Sequence, residues 1–173
     1  MSRYFDASQI SLAGRSFSQA EQLAGRYFRV TPGEWKKCRY DVKTLAYLDK
    51  QEVREGAFAH LCRYEYGEEP KPEGRQFYRI CLQDDRILNA IDRAHSFIRP
   101  APLLLYIAAH ELVHVIRFVR GEGNFDATDA EKANEEEKVH RITRNLLKPI
   151  TDTDLNLVLE CFSDRYQLGD LLQ

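Results

Sequence analysis

The stretch "YIAAHELVHVIRF", residues 106–118, decides how the rest of the chain is read. Two histidines four residues apart bracket a glutamate, and almost everything around them is apolar. In an α-helix, residues i and i+4 lie one above the other on the same face, so His110 and His114 can point at one small volume. Glu111 stands about 100° round the helix from His110, within reach of a water held there. Neutral imidazoles suit zinc. Three ionisable groups in the middle of a buried helix would cost several kcal/mol in desolvation if they had no common purpose. The spacing therefore predicts a metal site on a helix running from about Pro102 to Val119 and buried on most sides.

The elements around it follow from period and punctuation. Upstream, "AFAHLCRYEY" and "RQFYRICLQ" are aromatic-rich with rough alternation and are separated by the polar "GEEPKPEG"; they predict two strands of a hairpin over residues 57–83. "DDRILNAIDRAHSFI" has helical spacing, with Pro100 and Pro102 ending it and opening the next element. Downstream, Gly121 and Gly123 close the central helix. "AEKANEEEKVHRITRNLL" predicts a helix beginning near Asp129, and "DTDLNLVLECFSDRY" a last one. Before the hairpin, Thr31, Pro32 and Glu34 in "TPGEW" read as a helix start, with the helix continuing through "WKKCRYDVKTLAYL". Residues 18–28 are weakly amphipathic, and residues 1–30 could form an N-terminal extension over a cleft. The expected fold is α+β, mainly helical, in one domain of 173 residues.

Bulk properties narrow the function classes. A hydrophobic fraction of 43% and a charged fraction of 30% are ordinary globular values. A net charge of −2 gives no general attraction to nucleic acid. Cys38, Cys62, Cys81 and Cys161 form no CxxC pair, which disfavours a zinc ribbon or a dithiol redox motif and suggests reduced thiols in the cytoplasm. No signal-peptide core is visible near the N-terminus, and the longest apolar stretch is interrupted by His110, Glu111 and His114. No membrane or nucleic-acid partner is expected.

"HELVH" on a buried helix, after a small sheet and before a second helix bearing glutamates, resembles the zincin metallopeptidases over about residues 57–147. That resemblance implies one zinc ion per chain, with His110 and His114 as ligands and Glu111 as general base. The metzincin extension HExxHxxGxxH is absent: Arg117 stands at its glycine and Arg120 at its third histidine. The resemblance is thus to the glutamate zincins (gluzincins), whose third ligand lies on a following helix.

"NEEEKVH" is the strong source of that ligand. Val139, Ile142 and Leu146 define the buried stripe of its helix, with Leu147 and Ile150 broadening it. Glu135 and Glu136 fall roughly −40° and +60° from Val139, Glu137 roughly 160°, and His140 roughly 100°. Glutamate zincins commonly carry a polar residue four after the ligand glutamate, a position His140 holds relative to Glu136. The order of candidates is Glu136, then His140, then Glu135; an acidic, solvated helix start is the plainer alternative for this run. His140 is also a candidate for orienting a ligand or meeting substrate. Arg117, on the ligand stripe, could hold a substrate carboxylate or pair with the acidic run. Tyr64, Tyr66, Tyr78 and Tyr106 are possible oxyanion donors, whereas His60 and His95 have no partner spacing.

The function implied is zinc-dependent hydrolysis of a peptide or amide bond, with Glu111 taking a proton from water and passing it to the leaving nitrogen. The free edge of the hairpin would align an extended peptide substrate. Two other classes compete. A non-catalytic metal-binding module would keep the site for stability or partner binding. A di-iron carboxylate protein would pair Glu111–His114 with Glu137–His140, but needs Glu137 to face inward.

Overall fold

A computed structural model describes residues 1–65, 76–94, 97–150 and 152–161. The opening helix, α1 (Ala7–Phe28), begins with a capping box in which Asp6 accepts from the Gln9 amide and the Gln9 side chain accepts from the Asp6 amide. Its Ala13, Phe17, Ala20 and Ala24 recur at three- and four-residue spacing and are buried. The helix ends at Arg29, held in the left-handed region at φ 51°. Residues 1–30 thus hold a full-length core helix where only a weakly amphipathic segment was expected.

The helix start at "TPGEW" is present but short. Thr31 accepts from the Glu34 amide at 3.1 Å, and α2 (Pro32–Trp35) is a single turn. The expected continuation through residue 48 does not form. Tyr40–Lys43 is instead a strand, β1, followed by short 3₁₀ turns at Leu45–Tyr47 and Lys50–Glu52. The reason is tertiary. In extended form Val42 lies beside Ile80 and Tyr40 beside Tyr78, while Asp41 on the opposite face accepts from Arg79 at 3.0 and 2.9 Å. Cross-strand partners outweigh a helical propensity that was only moderate.

The expected hairpin strands are present as β2 (Ala59–Glu65) and β3 (Gln76–Leu82), antiparallel, with Leu61 opposite Ile80 and Ala59 opposite Leu82. Its polar connection "GEEPKPEG" and Tyr66 lie outside the described residues. The sheet order is β1-β3-β2, β1 running parallel to β3, so β2 is an edge strand. One sheet face supplies Ile80 and Leu82 to the core. The other carries Arg79, which binds Asp41 and the buried Glu52.

After the sheet, α3 (Asp84–Arg93) buries Ile87, Leu88 and Ala90. At its start the buried Asp84 accepts from the Phe5 amide at 2.8 Å and the Leu45 amide at 2.9 Å, tying three distant segments together. The central α4 (Pro100–Val119) has α1, α5 (Asp129–Leu147), α6 (Thr153–Cys161) and β2 packed around it. Its Leu103, Leu104, Ala108, Leu112 and Val113 form the middle of the main core. By length and composition α4 is apolar enough to cross a membrane, contrary to the sequence expectation, because three ionisable residues do not outweigh so many Leu, Ile, Val and Ala. Yet 89% of that apolar window is buried inside the protein, the burial pattern of a core helix. The fold is therefore mainly helical α+β with one three-stranded sheet.

Candidate metal centre

Two helices build the site. On α4, Tyr106, His110, His114 and Phe118 recur every four residues and share one stripe. On α5, a capping box between Thr128 and Glu131 sets the first turn, and the buried Val139, Thr143, Leu146 and Leu147 seat the helix against α4. Ile142 and Ile150 are only half-buried, and Thr143 takes the inner position, its hydroxyl donating to the Val139 carbonyl at 2.7 Å. This seating brings Glu136 over the histidine pair. His110 Nε2 lies 3.1 Å from Glu136 Oε2, and His114 Nε2 lies 2.8 Å from Glu136 Oε1.

Those separations test the donor set. In a tetrahedral zinc site with bonds of about 2.0 Å, adjacent ligand atoms stand roughly 3.3 Å apart. Each imidazole nitrogen stands near that spacing from one oxygen of Glu136. The donor atoms that all lie within 4.8 Å of one another, however, are those of His110, Glu136 and His140, so His110, His114 and Glu136 fit zinc only after His114 shifts toward the other two. The rings are held by packing. His110 stacks on Tyr106 at 6.0 Å between centroids and meets His114 edge-on at 4.9 Å, while His114 stacks on Phe118 at 5.6 Å. The outer nitrogens, Nδ1 of both histidines, are buried with no hydrogen-bond partner among the described residues, which supply no acceptor of the kind that usually backs a metal-binding imidazole.

The remaining candidates separate by partner. Glu135 does not face the histidines: Arg117 donates to it at 2.6 and 3.1 Å, both side chains being largely buried. Arg117 also pairs with Glu122 at 3.2 Å. It therefore serves the acidic run, the second of the roles weighed for it. His140 stands below Glu136, with Nε2 3.8 Å from Glu136 Oε2 and its ring 4.6 Å from that of His110. His110, Glu136 and His140 could share one ion as well. Glu137 is exposed, as its helical angle predicts, which leaves Glu137–His140 without the inward carboxylate that a di-iron pair needs.

Among the tyrosines, Tyr64 donates to Glu52 at 2.6 Å behind the sheet, and Tyr78 packs on Phe118 and Phe125. Tyr106 alone of the described three reaches the site: it is 1% exposed and its hydroxyl bonds His140 Nδ1. The four-residue spacing from His110 was the available signal for choosing it, and went unused. A second donor cluster, Glu52, Cys62 and Cys81, lies behind the sheet. Arg79 and Tyr64 already occupy that carboxylate, and burial pushes both thiols up, so it suits a cation poorly. His60 contacts Arg54 at 3.4 Å; His95 lies outside the described residues.

Electrostatics sharpen the roles. Glu111 is 8% exposed, and burial, with the Glu136 charge adding to it, raises its pKa despite the two histidines. A carboxylate made more basic by burial is suited to take and return a proton. For His110, burial opposes protonation, but the carboxylates of Glu136 and Glu111 outweigh it and the pKa rises. Glu136 is held far below the usual carboxylate range, with the histidine hydrogen bonds overcoming its desolvation. Burial raises Tyr106, which stays a phenol.

Glu111 and Glu136 line both arms of a cleft beneath β2, of about 470 and 420 Å³. Residues 1–30 contribute no wall to either arm. Comparison with models of known protein families, with curated proteins and with solved structures found no match to the chain in any of the three.

Proposed function

We propose that the chain is a zinc-dependent hydrolase of the glutamate-zincin kind, cleaving a peptide or amide bond. The observation that carries this reading is the carboxylate of Glu136 bridging His110 and His114 at 3.1 and 2.8 Å, with the buried Glu111 opening onto the same cleft. Zinc, when bound, supplies Lewis acidity that acidifies water and polarises a carbonyl. His110, His114 and Glu136 would hold it. Glu111 accepts a proton from water at its carboxylate and returns it to the leaving nitrogen, and its burial raises its basicity above that of an ordinary carboxylate. His140, backed by Tyr106, stands at the cleft wall, where it can donate to a substrate oxygen. The edge of β2 beside the cleft supports an extended peptide as substrate. Four free cysteines agree with a cytoplasmic setting for this reading.

One observation favours a second reading, a non-catalytic metal module. If His140 joined the other three donors, four protein ligands would close the site and leave no position for water. The experiment is zinc content and peptide hydrolysis for wild type, Glu111→Gln and His140→Ala. One zinc per chain throughout, with turnover lost in Glu111→Gln, is the expected outcome. Loss of zinc in His140→Ala together with an inert wild type would replace hydrolysis by the closed-site reading.

A further inference from the structure

The two arms of the cleft differ in chemistry on either side of Glu111. The first runs between the segment Gly56–Ala59 and Tyr106, Ile107 and His140, and has the acidic Glu55 at its mouth beside Arg54, which both arms share. The second is walled by Leu61, Phe118 and Phe125 and rimmed by Arg54, His60 and Lys132.

The aromatic wall is firmly held. Phe118 and Phe125 meet edge-to-face at 5.6 Å, and both pack on Tyr78. Arg63 on β2 lies over Phe125 at 4.7 Å and pairs with Asp126 at 2.8 Å, pinning the loop after α4 against the strand. Gly123 of that loop comes so close to Glu135 that an added Cβ would stand 2.7 Å from its Oε1.

The rim is positive because its nearby acids are committed. Glu135 is tied to Arg117, Glu136 is turned to the histidines, and Glu111 is buried. Lys132 is exposed and forms no ion pair among the described residues; Arg54 is exposed, and its side-chain contact is the ring nitrogen of His60. An unneutralised cationic rim over an aromatic wall complements a ligand that is both apolar and anionic.

Building on the peptidase reading above, we propose that this second arm is the selectivity pocket and that the preferred substrates are acidic peptides, with a large apolar side chain against Phe118 and Phe125 and a neighbouring carboxylate at Arg54 and Lys132.

The test uses the full chain supplied with zinc and four matched peptides that pair Phe or Ala with a following Asp or Lys. Binding is measured calorimetrically on Glu111→Gln, and turnover on the otherwise unaltered protein. The Phe–Asp peptide is expected to bind about tenfold more tightly than the Phe–Lys or Ala–Asp peptide. Lys132→Glu should reverse the Asp-over-Lys preference, and Phe125→Ala should erase the Phe-over-Ala preference. Equal binding of all four peptides, or an unchanged charge preference in Lys132→Glu, would overturn the proposal. Selective binding without turnover would keep the pocket and remove the peptidase reading. Turnover without selectivity would do the reverse, and neither binding nor turnover would remove both.

Discussion

Glu135 and Glu136 are neighbours on α5, yet their carboxylates serve different partners: Glu135 takes two hydrogen bonds from Arg117, and Glu136 spans His110 and His114. One step along a helix turns the side chain by about 100°, enough to separate an ion pair with arginine from a contact with two histidines. Glu136→Gln is expected to lower zinc affinity by about two orders of magnitude or more while leaving the Arg117 pair intact. Glu135→Gln should keep one zinc per chain but lower stability by about 2 kcal/mol, because it leaves a largely buried guanidinium underpaired. Metal analysis and urea unfolding of the two variants check this; loss of zinc in Glu135→Gln instead would exchange their roles.

Gly123 gives that ion pair a second probe. An added methyl group would meet Glu135 Oε1 at 2.7 Å and Phe118 at 3.3 Å, and Arg117 restricts the room Glu135 has to yield. Gly123→Ala is expected to cost about 1–2 kcal/mol through this overpacking. In Glu135→Ala the obstruction is gone, so the same substitution should cost much less, and a double-mutant cycle should show the coupling. Additive losses would place the strain elsewhere.

The sequence made α4, α5 and the hairpin readable because their apolar periods are local and strong. The histidine pair was readable because helical spacing alone makes it converge. The preference for Glu136 over Glu135 rested on the resemblance, which puts a polar residue four after the ligand glutamate; helical angle alone sets Glu135 nearer the buried direction marked by Val139. What local pattern could not disclose depended on distant partners. Tyr40–Lys43 becomes a strand because β3 lies beside it, and no residue within the segment announces that pairing. The role of α1 as a core helix was obscured because its buried stripe is built largely of small residues such as Ala13, Ala20 and Ala24, which give a weak hydrophobic signal. The four-residue spacing from His110 set Tyr106 apart from the other tyrosines, but the partner of its hydroxyl, His140, comes from α5 and no local pattern announces it.

Tyr106→Phe keeps the buried ring that stacks on His110 and removes only the hydroxyl at His140. The expected stability loss is about 1 kcal/mol, the usual scale for one hydrogen bond. Zinc content should stay at one per chain, because none of the three proposed ligands is altered. If His140 meets substrate, turnover should fall about tenfold with the imidazole no longer oriented. Steady-state kinetics beside metal analysis separates these effects; a fall in zinc content would instead make His140 a ligand.

The pairing of His110 with Glu136 makes stability depend on pH in opposite directions with and without zinc. In zinc-free protein the His110 pKa is raised above 6.5, the Glu136 carboxylate outweighing burial. Its contribution to stability is therefore fully present below pH 6.5 and is lost as pH rises through the folded value. Zinc needs the same nitrogen unprotonated, so binding displaces the proton and strengthens as that proton leaves. Across this window the melting temperature of zinc-free protein should fall relative to a His110→Gln variant, which has no proton to lose there. The rise in melting temperature on adding zinc to the unaltered chain should grow over the same range. Calorimetry at several pH values, with and without zinc, reads both trends. A zinc increment independent of pH would mean that no proton is displaced and that His110 does not bind the ion.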